Sequence, residues 1–217
     1  MNHRNYQKEL EGMIAQLPQG KGVPTLFLHS CCAPCSSYVL EYLSAFFQIT
    51  VFYYNPNITA SSEYWKRVEE QKRLVEIYNT QPGRDPIAVV EGDYRPEVFL
   101  ERTKGLEECP EGGERCFLCY RLRLEETARQ AKASGADYFG TTLTISPLKN
   151  AGKLNEIGEE LGKTMGIAWL FSDFKKKNGY KRSIELSAKY GLYRHDYCGC
   201  AYSKAERERQ KQQKEDV

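Results

Sequence analysis

Five short apolar runs alternate with segments of helical character, and this alternation constrains the chain more than any other feature. TLFLHS (25–30), ITVFYYN (49–55), PIAVVEG (86–92), ADYFGTT (136–142) and IAWLFS (167–172) read as buried strands. Between them, SSYVLEYLSAF (36–46), residues 61–79, 115–135 and 146–166 carry helical periodicity, and SIELSAKYG (183–191) follows the last strand. Ser61 or Ser62 is placed to cap the 61–79 helix, and Glu63 suits its first turn. In that helix Tyr64, Val68, Val75 and Tyr78 share a face. Ser146 and Pro147 suit a helix start. Strands separated by helices predict βαβ units: one α/β domain with a doubly wound parallel sheet. The start of the chain is helical too, with Tyr6, Leu10, Met13, Ile14 and Leu17 on one face, and residues 203–217 form a charged tail.

On such sheets ligands bind beyond the carboxyl ends of the strands, where strand order reverses. The segments expected there are Cys31–Cys35, Thr141–Ser146 and Asp173–Arg182. A formal net charge of +2 is too small to argue for nucleic acid by itself. No long apolar run spans a membrane and the start does not resemble a signal peptide, so a cytoplasmic location is expected. The chain has eight cysteines. In a reducing compartment their grouping points to metal or redox chemistry rather than to a disulfide framework.

Three groups stand out. HSCCAPC places Cys31, Cys32 and Cys35 just after the first strand, and RCFLC sets Cys116 and Cys119 three apart. Four thiolates drawn from the two groups suit either zinc or an iron–sulfur cluster. Cys32 and Cys116 are 84 positions apart, so tertiary folding must assemble such a site. Adjacent ligands diverge from an extended backbone, and a cluster several ångströms across accepts both more readily than one small ion. The third group, YCGC, encloses Gly199 between Cys198 and Cys200. A disulfide there closes a small, strained and easily reduced ring; two further metal ligands are the alternative. Cys35 is open between metal ligand, neighbouring thiol and simple helix-start residue. Cys109 reads as incidental.

HSCCAPCS, YYNPNI, CFLCYRLRL, TTLTISPLKN and DFKKKNGYKRSIELSAKYGLYRHDYCGC together resemble the epoxyqueuosine reductase QueH family, over about residues 25–203. The resemblance implies a sandwich like that of the adenine-nucleotide alpha-hydrolases (HUP). It implies reductive removal of the epoxide oxygen of epoxyqueuosine at the tRNA wobble position, the last step to queuosine, in tRNAs for Asp, Asn, His and Tyr. It also implies a 4Fe–4S cluster on Cys31, Cys32, Cys116 and Cys119, and a redox-active disulfide between Cys198 and Cys200. His195 stands where many relatives are expected to carry Gln.

Epoxide to alkene takes two electrons and two protons. A dithiol stores two electrons, whereas a cluster normally passes one at a time. A cluster filled by four cysteines has no vacant iron, so the departing oxygen needs a second metal ion or an acid. Cys35, His29, Asp173, Asp196 and Tyr197 are the neighbours to consider. For RNA, Lys175, Lys176, Lys177, Lys181 and Arg182 surround Tyr180, offering phosphate contacts and a stacking ring, and Arg121 and Arg123 add charge beside the second cysteine pair. An electron donor outside the chain is expected as a further partner. Neither a P-loop nor a GxGxxG fingerprint is present. A tRNA thiolation enzyme and a zinc-stabilised RNA-binding module are the competing readings.

Overall fold

The computed structural model describes residues 4–17 and 22–215. Strands β1 (Thr25–Ser30), β2 (Gln48–Tyr53), β3 (Ala88–Glu91), β4 (Tyr138–Thr141) and β5 (Ala168–Trp169) form one sheet. Its order is β3-β2-β1-β4-β5, and every neighbouring pair is parallel. The expected doubly wound α/β class is therefore found. The chain steps outward from β1 to β3, then returns so that β4 lies on the other side of β1. The reversal falls between β1 and β4, where His29 pairs with Thr141.

Helices cover both faces. On one, α1 (Tyr6–Ala15), α2 (Ala33–Leu43) and α3 (Ser61–Asn79) pack on Leu26, Leu28, Ile49 and Val51, and α7 (Gly179–Lys189) packs on α2. On the other, α5 (Glu114–Ala133) and α6 (Ala151–Met165) pack on Phe27, Phe52, Phe139 and Trp169. Alternate residues of one strand serve opposite cores, as the period of two requires. The expected apolar face of α3 is buried: Tyr64, Val68, Val75 and Tyr78 all lie inside. Short α4 (Pro96–Arg102) packs on α5, and α8 (Ala201–Glu215) ends the described chain.

Four boundaries differ from expectation, each for a local reason. Helix α2 begins at Ala33, not at residue 36, because Cys32 is extended (φ −176°, ψ 159°) and Pro34 suits the first turn. Helix α3 has Ala60 at its N-cap, so Ser61 and Ser62 are already helical; the preceding Thr59 N–H donates to the Gly199 carbonyl. Ser146 does not cap α6: a 3-10 turn occupies 142–145, and Asn150 is the cap, accepting from the Lys153 N–H. Lys149 is thereby left in the loop. Edge strand β5 stops at Trp169 because Asn155 of α6 accepts from the Ser172 N–H and draws the chain away.

Candidate functional site

Cys31 and Cys32 leave the end of β1 directly into α2. The extended Cys32 and early helix start put Cys35 in the first helical turn, and the three sulfurs lie within 4.8 Å of one another. Among the described residues this is the one group of three or more His, Cys, Asp or Glu side chains so close, and it is able to bind a metal. Across the switch point, Thr142 accepts from the Cys31 N–H at 3.4 Å. The Cys31 sulfur is held well below the usual thiol range, chiefly by its contact with Cys32 and then by Cys35, while the Cys35 thiol is pushed up.

The remaining site cysteines come from other elements. Cys116 and Cys119 occupy the first two turns of α5. Cys119, Cys200, Phe99 and Leu122 form an apolar cluster with Cys198 packed against it, and Cys31 and Cys116 both pack against the core beneath β1. The Cys198 and Cys200 sulfurs are 3.4 Å apart. Gly199 has φ +107°, and a Cβ there would meet Ile58 at 2.7 Å, so this turn requires glycine. Cys198 is drawn well below the ordinary thiol range by the neighbouring Cys200 thiol and by the Lys149 ammonium. Cys200 is pushed up because the proton stays with it, beside that negative sulfur.

A cavity of about 740 Å³ opens between these groups. Cys31, Cys32, Cys35 and Cys198 line it, with Arg67, Arg123, Lys149 and Glu111 on its walls. Tyr180, Leu148 and Tyr193 line it too, and the first two are exposed. Helix α3 braces the 190–198 segment: Arg73 donates to the Tyr190 and Gly191 carbonyls, Glu70 accepts from the Tyr193 N–H, and Arg67 donates to the Cys198 carbonyl.

Several expected participants have other duties. His29 donates from Nε2 to the Tyr54 carbonyl and accepts at Nδ1 from the Thr141 hydroxyl, so both nitrogens are spent. Burial holds it neutral, its pKa lowered to about 3. Asp173 pairs with Lys175 at 3.0 Å, and Asp196 with Lys211 at 2.7 Å. Arg121 pairs with Glu160. Arg123 is buried and donates to Asn55 and the Cys119 carbonyl, so it is a strut and not an RNA-facing charge. Of the basic segment, Lys177 pairs with Glu11 and Arg182 with Glu41 and Glu185. Lys176, Tyr180 and Lys181 are exposed, the last two on α7 and not in a loop. Cys109 is absent from the cavity lining.

Arg67, Glu111 and Lys149 escaped the reading of the sequence. Arg67 carried a signal: it interrupts the apolar face of α3 beside Val68 and one turn from Glu63, with which it pairs at 2.6 Å. Glu111 and Lys149 sit in irregular loops with no periodicity to mark them, although Lys149 lies within TTLTISPLKN.

This site lies within the part of the chain matched by a family model. Residues 26–206 match the one described as "Epoxyqueuosine reductase QueH". The chain belongs to that family. Curated relatives bearing the same name, epoxyqueuosine reductase QueH, agree over nearly the whole chain. The protein of Staphylococcus epidermidis is 42% identical over 92% of this chain and 84% of its own. That of Streptococcus pyogenes is 42% identical over 92% and 78%, and that of Thermotoga maritima 33% identical over 84% and 92%. No helix among the described residues is long and apolar enough to cross a membrane.

Proposed function

We propose that this chain is an epoxyqueuosine reductase. It removes the epoxide oxygen of epoxyqueuosine at the wobble position of tRNAs for Asp, Asn, His and Tyr, giving queuosine and water in the cytoplasm. The observation that carries this reading is Cys198, its sulfur 3.4 Å from that of Cys200, in the wall of a cavity that the Cys31–Cys32–Cys35 turn also lines.

The chemistry of the donors favours an iron–sulfur group here. The Tyr53 hydroxyl, Arg67 Nη2 and the Tyr120 hydroxyl are buried donors with no acceptor. Cys32 influences both Tyr53 and Arg67, and Cys116 and Cys119 influence Tyr120. Buried donors left unpaired are costly, and thiolate and sulfide sulfurs would accept from them. Cys31, Cys32, Cys116 and Cys119 would hold a 4Fe–4S cluster, with Cys35 as a thiol beside it. When bound, such a cluster supplies electrons one at a time at a potential set by these donors.

The rest belongs to the chain itself. The low Cys198 sulfur is the reactive end of the dithiol, and Cys200 holds the second hydrogen. Closing the disulfide releases two electrons and the Cys200 proton; the second proton that the epoxide needs comes from solvent. An electron donor outside the chain reopens it. Tyr180 at the rim stacks an unpaired anticodon base, and Lys176 and Lys181 reach phosphates; Lys175, Lys177 and Arg182 add charge while paired to carboxylates. The chemistry places no further demand on a second metal ion if a protein acid serves the oxygen.

Incubation of reduced protein with tRNA bearing epoxyqueuosine, followed by nucleoside mass analysis, tests the reading. Queuosine is expected from the wild type, and none from a Cys198→Ser, Cys200→Ser variant of unchanged iron content. Full turnover by that variant would remove the dithiol from the reaction. Colourless protein containing zinc, after anaerobic purification, would remove the cluster.

A further inference from the structure

Two carboxylates line the cavity, and electron transfer uses neither: Asp196 is paired with Lys211, whereas Glu111 is not so committed. Glu111 lies in the turn before α5, where Gly113 N–H donates to the Pro110 carbonyl. Its own N–H donates to Glu206 of α8, and its Oε2 accepts from the Ser203 hydroxyl at 3.4 Å. Its Oε1 is different. It is buried and has no hydrogen-bond partner. The Lys149 ammonium stands 3.8 Å from it, too far for a hydrogen bond. Both side chains line the cavity that Cys198 also lines. A buried carboxylate beside an ammonium normally closes the gap; here one oxygen is left uncommitted, next to the dithiol.

The charges facing Glu111 come from every element packed on it. Cys198 and Glu206 disfavour its ionised form, and Lys149 and Arg207 favour it. Burial is the largest influence, and the carboxyl is raised above its usual range. Lys149 faces Cys198, Tyr120 and Glu111 against Arg123, and it stays an ammonium.

We propose that Glu111 is the acid that protonates the departing epoxide oxygen, with Lys149 beside it offsetting the negative charge that develops there. This rests on the reductase reading above. The balance is as follows. Both C–O bonds break and a C=C bond forms. The oxygen takes two protons, delivered in turn through Glu111, and leaves as water. Cys198 and Cys200 lose two electrons and form one S–S bond. The Cys200 thiol gives up one proton as the S–S bond closes, solvent supplies the other, and together they restore the carboxyl and close the account of hydrogen.

Glu111→Gln removes the proton and keeps the shape. A general acid contributes about 10²–10⁴-fold, so kcat is expected to fall by at least about 100-fold with KM for the tRNA within about twofold. Iron content and the reactivity of Cys198 toward a disulfide reagent should be unchanged. The wild-type rate should decline as pH rises through the carboxyl pKa, and this limb should vanish in the Gln variant. Glu111→Asp should keep part of the rate with its limb displaced, which preserves the test if the Gln variant does not fold. A wild-type rate in the Gln variant overturns the proposal, and so does a limb left in place in either variant, which would mean a purely structural carboxylate. A wild-type protein that makes no queuosine overturns the reductase reading itself and this role with it. An active wild type with an equally active Gln variant overturns only the role of Glu111.

Discussion

Gly199 and Asn55 show how single residues hold the chemistry in place. At Gly199 the left-handed backbone and the nearby Ile58 both exclude a Cβ. Gly199→Ala should cost about 1–3 kcal/mol and displace the two sulfurs. A thermal melt and a dithiol titration measure the two effects; a variant that closes its disulfide as readily as wild type would refute the geometric argument. Asn55 donates to the Ser30 carbonyl and accepts from buried Arg123, so it ties β1 to α5 beneath the cavity. Asn55→Ala leaves the buried Arg123 guanidinium with the Cys119 carbonyl alone, and urea unfolding should show a loss of about 2–3 kcal/mol. A loss under about 0.5 kcal/mol would mean that the freed Arg123 Nη1 finds a new acceptor.

At the scale of elements, α3 does two jobs. Its apolar face packs on the sheet, while Glu63, Arg67, Glu70 and Arg73 grip the 190–198 segment that carries the dithiol. Glu70→Ala removes the acceptor for the Tyr193 N–H and the partner of Arg73. Faster amide exchange confined to residues 190–198 is expected, with global stability changed by no more than about 1 kcal/mol because the ion pair is partly solvated. Exchange that quickens uniformly would show that α3 itself had loosened. On the opposite face Gly158 of α6 lies flat against Trp169, leaving no room for a side chain. Gly158→Ala should overpack this layer and cost about 1–3 kcal/mol, while the reactivity of Cys198 stays as in wild type. A variant as stable as wild type would mean that β5, an edge strand of two residues, simply moves aside.

For the whole molecule, a net charge of +2 gives no broad positive field, so the affinity for tRNA rests on local clusters. Binding should weaken as salt rises, and each lysine that meets a phosphate contributes about one to the slope of log K against log salt. Lys176→Ala and Lys181→Ala should each reduce the slope by about one. Lys177→Ala should change it less, because that ammonium already pairs with Glu11. Slopes unchanged in the first two variants would exclude α7 and its approach from the RNA interface.

Much of the architecture was readable in one dimension because it is local. Apolar runs of strand length and helices with a buried stripe announce themselves by period, and their alternation implies a parallel sheet. The sulfur groups were equally visible, since CC, CxxC and CGC are rare patterns in a chain of this length. Boundaries that depend on a distant acceptor were not visible: the Asn155 contact that ends β5 and the Thr59 contact to Gly199 join residues far apart in sequence. Nor could sequence alone show that an earlier start of α2 swings Cys35 onto Cys31 and Cys32, that His29 and Arg123 are spent on structure, or that Glu111 and Lys149 face Cys198. Periodicity records which residues seek the interior. Which buried polar groups remain without partners is settled only when the elements pack, because a hydrogen bond between remote segments has no local signature.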